Sequence, residues 1–150
     1  MCLHNAKRIP QDGEITCYKV LMENNKGEFT SIYYQDFKWK IGENMVAEFE
    51  EGANKERVVN GFGGIHSGAF HTVKTLSDAK WYMENSAARN FRLPNTVIAE
   101  CVVPSENEYL YEGMVPVVYG DDGKIRYTTG YASEKLKVVR IVPEEEYEKL

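Results

Sequence analysis

Histidine, cysteine, tyrosine and clustered glycine are the residues of this chain with the means to do chemistry, and they gather unevenly. Asn60 to Asn85 holds four glycines and two of the three histidines. His66 and His71 could bind a metal or pass a proton, because imidazole titrates near neutral pH. Their spacing of five fits neither an i, i+4 helical metal pair nor H-E-x-x-H, and no acidic residue lies between them. Paired H-x-S/T phosphoesterase motifs fail too, since Ser-Gly follows His66 and Thr-Val follows His71. A hydrogen-bonded structural role for each histidine, with no metal, is the expectation.

Gly61, Gly63 and Gly64 would let backbone amides approach a phosphate closely. The run lacks the Lys-Ser/Thr of a P-loop, and the expected helix opens about a dozen residues later than a dinucleotide fingerprint requires. A tight strand-to-helix passage is the better reading. A thiol nucleophile needs polarisation and partial exposure. Cys17 and Cys101 instead lie in strongly apolar runs, where cysteine is a small buried hydrophobe. Cys2 would become an N-terminal nucleophile only on loss of Met1. Three cysteines, far apart and without C-x-x-C, argue against a disulfide framework or a zinc site. The ten tyrosines cluster on expected strand ends and hairpins, among them Tyr119 and Tyr131. They suit either recognition or half-buried strand positions.

The elements that must position these groups read mainly as strands. Met1 to Glu14 is polar and reads as an irregular leader. Ile15 to Met22 is a strand buried on much of both faces, with Lys19 its one charge, and Phe29 to Tyr34 completes a hairpin. Phe37 to Gly42 alternates apolar and basic, as an edge does, and Met45 to Phe49 continues it. Thr75-Leu76-Ser77-Asp78 is close to a capping box and predicts a helix over about 76–88. Val97 to Val103 reads as a central strand. Gly120-Asp121-Asp122-Gly123 turns a hairpin between Val115–Tyr119 and Lys124–Thr128, and Leu136 to Val142 is a last strand. Pro143 then opens a short acidic C-terminal helix. The sum is an α+β single domain over 1–150: about seven or eight short strands in an antiparallel or mixed sheet, with one main helix and a short C-terminal one.

Composition removes several function classes. A net charge of −5 with no Lys/Arg cluster leaves no footprint for nucleic acid. No apolar run approaches the ~20 residues of a membrane span, and MCLHNAKRIP has no signal-peptide core, so a cytoplasmic protein away from membranes is expected.

The succession MCL, ITCYKVL, GGIHSGAFHTVKTLSDA, VIAECVVP and GYASEKLKVV resembles a family of small bacterial and phage-borne proteins to which no function attaches. A more distant likeness is to ADP-ribosyltransferases, whose split sheet also runs from a tyrosine-bearing first strand through a Gly-rich strand and a helix to late strands with a catalytic glutamate. That likeness implies NAD as cofactor and Tyr18, His66 and Glu134 as catalytic residues. The first strand lacks the Arg or His of such enzymes, no Ser-Thr-Ser triplet follows, and Glu134 lies in no Q/E-x-E motif.

Every fold signal is complete and every catalytic motif incomplete. The expectation is therefore a binding module without catalysis or cofactor, taking a protein or small-molecule partner. Its site is expected where Gly63, Gly64, His66 and His71 border Tyr119 and Tyr131 of the late hairpin.

Overall fold

The computed structural model describes residues 3–31, 37–47, 69–85, 95–105, 107, 109–119 and 121–150. These residues form one curled antiparallel sheet of ten strands. Its strands are β1 (His4–Arg8), β2 (Ile15–Glu23), β3 (Phe29–Ser31), β4 (Lys38–Trp39), β5 (Asn44–Val46), β6 (Phe70–Val73), β7 (Thr96–Val103), β8 (Leu110–Tyr119), β9 (Ile125–Ser133) and β10 (Lys135–Ile141). Two helices accompany them, α1 (Leu76–Asn85) and the single turn α2 (Glu144–Tyr147). The sheet order is β1-β8-β9-β6-β2-β7-β10-β5, with β3 on β2 and β4 on β3. No described helix is long and apolar enough to cross a membrane.

Strand β2 organises the sheet. One of its edges runs against β7 from Ile15↔Val103 to Met22↔Thr96, as the apolar runs of both segments dictate. Its other edge is shared: Tyr18 pairs with Val73 of β6, while Leu21 to Glu23 pair with β3. The sheet therefore forks at Lys19 and Val20. Alternation then gives β2 two working faces. Val20 joins Val73, Ile98, Val115 and Ala132 under α1, which contributes Ala79 and Tyr82. Cys17 and Leu21 join Cys101, Leu136, Val138, Phe70, Leu110 and Tyr131 on the opposite face. That second cluster takes residues from β8 through β10 together with Trp39 and Ala47, so it is the inside of the curl. Fully burying each of its larger aliphatic side chains contributes roughly 2 kcal/mol. The curl turns at Glu134, the only residue between β9 and β10, whose N–H donates to the Tyr109 carbonyl and whose carbonyl accepts from Ala47.

Several sequence expectations are corrected. Residues 4–8 are not an irregular leader but an edge strand paired with β8, with Leu3 and Ala6 buried beneath it. A polar HNAKR run carries no apolar alternation; backbone bonds to β8 hold it, and a register shift between His4 and Lys7 marks a bulge. Val115–Tyr119 and Lys124–Thr128 are parts of longer strands: Leu110 to Tyr119 is one strand, and β9 runs on from Ile125 through Tyr131 to Ser133. Two glycines let this hairpin pass close to its neighbours. A Cβ on Gly113 would stand 2.6 Å from the His4 carbonyl, and one on Gly130 would run into the Thr72 carbonyl and Val115. Ten strands stand where seven or eight were expected; β4 and β5 fall within the segments read as an edge and its continuation, and the polar β1 is the strand that the sequence does not announce.

The expected helix start holds in detail. Asp78 N–H donates to Thr75 Oγ1 at 3.1 Å, and Thr75 N–H donates back to Asp78 Oδ2 at 3.2 Å, the reciprocal bonds of a capping box. The helix reaches Asn85, and residues 86–88 of the expected span lie outside the described ones.

Candidate functional site

Lys19 is the residue whose position most demands an explanation. The β2 strand is apolar because it is buried on both faces, and alternation puts Lys19 inside the curl between Cys17 and Leu21. Only 9% of it is exposed. Its Nζ donates to the His71 carbonyl at 2.8 Å and lies 5.9 Å from the centre of the Trp39 ring. An ammonium in such surroundings loses most of its hydration, and burial pulls the Lys19 pKa down to about 8.

The register extends a polar row from this lysine. Tyr18↔Val73 makes Thr72 the cross-strand neighbour of Lys19, Thr72 pairs with Tyr131, and Tyr131 pairs with Glu112. Lys19, Thr72, Tyr131 and Glu112 thus cross four adjacent strands on the inner face, each about 4.8 Å from the next strand. Tyr131 is buried; burial raises its pKa, and the hydrogen bond it gives Glu112 raises it further. Thr72 is fully buried, and its hydroxyl finds no nitrogen or oxygen partner among the described residues. Ser133, fully buried two residues along the same face, is in the same condition.

Thiols and rings complete the surroundings. Cys17 and Cys101 face each other across β2 and β7, both free and fully buried. The Glu23 N–H to Asn95 carbonyl bond sets the ladder's phase and makes Cys17/Cys101 a hydrogen-bonded pair, whose Cβ atoms stand too far apart for an unstrained disulfide. Burial pushes the Cys17 thiol up to about 12, against a lowering by the Thr72 hydroxyl, and pushes Cys101 well up too. Neither is a thiolate at neutral pH. Phe37, Trp39 and Phe70 form a mutually packed trio, with ring centres 5.0, 4.8 and 5.5 Å apart.

The residues singled out by sequence are distributed differently. His71 is in β6, buried, with its ring on the helix-bearing side of the sheet. A carbonyl can only accept, so Nδ1 carries the proton it gives Ala69 at 2.9 Å, which leaves Nε2 as a buried lone pair without a partner among the described residues. Burial, with Lys19 nearby, lowers its pKa to about 3. Tyr131 is adjacent to His71 in the sheet but on the opposite face, and Tyr119 ends β8 opposite Ile125. Gly63, Gly64 and His66 lie outside the described residues. Tyr18 sits on the helix-bearing face beside Glu100, its β7 partner. Glu134 is at the β9–β10 corner, four residues beyond Gly130, which lies level with Tyr18. At ~3.3 Å per residue the two are about 13 Å apart along the strands. Among the described residues, no three His, Cys, Asp or Glu side chains gather around a common metal position.

Sequence reasoning noted Lys19 only as the one charge in its strand. That lone charge was the available signal; Thr72 and Glu112 gave none, because their relation to Lys19 exists only in the sheet register. A second cluster lies on the helix-bearing face, where Arg140 bonds Glu146 at 2.6 and 3.0 Å and Glu100 at 3.3 Å. It ties α2 to β7 and β10.

Comparison with protein-family models, curated proteins and solved structures finds no match.

Proposed function

We propose that this protein is a binding module that receives a small ligand on the inner face of the curled sheet at Lys19, without transforming it. One observation carries the reading. The polar row of Lys19, Thr72 and Tyr131 is built into an otherwise apolar interior, where unmatched donors cost free energy unless something meets them. The two thiols beside that row are held protonated, the form that is not nucleophilic, and the His71 ring lies on the other face of the sheet. A screen of small ligands by thermal shift, repeated on Lys19→Met, tests it. Stabilisation of the wild type that disappears in the variant supports the site, and ligands that act equally on both place binding elsewhere.

A second reading, an ADP-ribosyltransferase-like enzyme using NAD, rests on the sequence likeness and on the fork at β2, the strand that carries Tyr18, although β1 precedes it. In that reading Tyr18, His66 and Glu134 are the catalytic residues. Labelled NAD incubated with a lysate, wild type against Glu134→Gln, separates the two. Transfer that is lost in the variant would replace the binding-module reading.

A further inference from the structure

We propose that residues 37–47 are a flap that closes the curl over Lys19, and that the protonated lysine biases this flap toward opening. The inference goes beyond the binding-module reading, because it needs no ligand and concerns how water reaches the interior.

The strands around the inner cluster make a closed circuit. Strand β2 pairs with β3 and β3 with β4; a turn with Glu43 N–H on the Lys40 carbonyl leads from β4 into β5; β5 pairs with β10, β10 with β7, and β7 with β2. Residues 37–47 complete that circuit and are its most lightly held part. Strand β4 is two residues long and β5 three, with two register pairs to β3 on one side and three to β10 on the other. Trp39 Nε1–H donates to Ser31 Oγ at 2.9 Å, Lys38 pairs with Glu28 at the surface, and the Gly42 and Ala47 N–H groups donate to the Val138 and Glu134 carbonyls. A segment held by so few backbone bonds opens at a free energy below that of global unfolding. Its large apolar anchor is Trp39, packed on Phe37 and Phe70.

What Trp39 covers is the ammonium, 5.9 Å from its ring. Lys19 Nζ donates to the His71 carbonyl, and no described carboxylate bonds to it. Around it on the inner face stand Cys17 from its own strand, Cys101 from β7, the Thr72 hydroxyl of β6, which donates to the Cys17 sulfur, and Tyr131 from β9. Both thiols and the phenol keep their protons at neutral pH, and β5 and β10 turn Met45, Leu136 and Val138 inward. Glu112 of β8 is three strands away and accepts the Tyr131 hydroxyl, while Lys38 beside Trp39 faces out to Glu28. Closing the flap therefore strips water from a cation without supplying a counter-charge, and opening returns the water. A neutral amine carries no such penalty. With a pKa of about 8 inside and about 10.5 in water, the lysine shifts the balance toward the open flap by about a hundredfold at pH 7.

The test follows exchange of the Trp39 indole N–H, protected by its bond to Ser31 while the flap is shut, by NMR on the full chain. Backbone amides of the β2–β7 ladder are read beside it, each rate corrected for its intrinsic pH dependence, in urea below the unfolding transition. Trp39 is expected to exchange faster than the ladder amides and almost independently of urea. Lys19→Met should slow it about a hundredfold at pH 7, and in the wild type the corrected rate should fall about tenfold or more between pH 7 and 9.5. The wild-type pH series keeps the test decisive should Lys19→Met fail to fold. Trp39 exchange that shares the urea dependence of the ladder amides overturns the flap, and urea-independent exchange that neither pH nor the substitution moves overturns the part given to Lys19.

Discussion

Lys19 and Arg140 are two cations on strands only two places apart in one sheet, and their surroundings drive them in opposite directions. Arg140 stands at the surface between Glu146 and Glu100, and its hydrogen bonds to them raise its pKa. Lys19 stands inside with a carbonyl, a hydroxyl, two thiols and three rings, and burial lowers its pKa to about 8. The surface cluster is self-sufficient. The interior row is not, and that difference is why the site is placed at Lys19 and not at the denser set of charges outside.

The comparison breaks most visibly in acid, through His71, the buried histidine of β6. Folded His71 takes up a proton only near pH 3, whereas in the unfolded chain it does so near 6.5. Between those values the unfolded state binds more protons. Stability is therefore complete above pH 6.5 and falls as pH drops, by about 3 kcal/mol at pH 4. His71→Gln has no charge to acquire, and urea melts between pH 7 and 4 should show a loss smaller by that amount.

Lys19→Met comes next. The unfolded lysine keeps its proton to about 10.5 and the folded one to about 8, so stability rises with pH across that window. The penalty below pH 8 is about 3 kcal/mol, and losing the bond to the His71 carbonyl gives back about 1. The ligand-free variant should thus be more stable than wild type by about 2 kcal/mol at pH 7, with the advantage reversing above pH 10.5. A variant less stable at pH 7 would mean that the ammonium has a partner within the protein.

Two surface changes sharpen the contrast from the other side. Thr75→Ala removes the hydroxyl bonded to Asp78 N–H and should cost about 1 kcal/mol in thermal or urea melts. Arg140→Met should cost least, because exposed ion pairs are screened by water and salt. Its signature is local: faster amide exchange in α2, with the difference from wild type vanishing at high salt. Arg140 holds the Glu146 carboxyl below the usual range, so the wild type's advantage is present at neutral pH and is lost as pH falls and Glu146 protonates.

What the sequence made legible was whatever short-range chemistry decides. Thr75 and Asp78 form their cap from side chains three residues apart, and the apolar runs of β2 and β7 could only be interior strands. Strand β1 was invisible because its reason for being a strand is β8, more than a hundred residues away. The site was half legible. Tyr131 and His71 were named from the sequence, yet strand alternation sends them to opposite faces, and Lys19 gains its meaning from Thr72, 53 residues on.

The fork at β2 also bears on how the chain folds. Its pairing with β3 closes a short turn at Asn24 to Gly27 and is local, whereas its pairing with β7 joins Ile15 to Val103 and its contact with β6 joins Tyr18 to Val73. Each distant pairing must close a long loop before it is rewarded, so a sheet built this way is committed to slow folding, with the β2–β3 hairpin the early event. Once both edges are engaged, β2 cannot slip by one residue without sending Lys19 to the helix-bearing face and Tyr18 to the interior, so the arrangement that delays assembly also fixes the register.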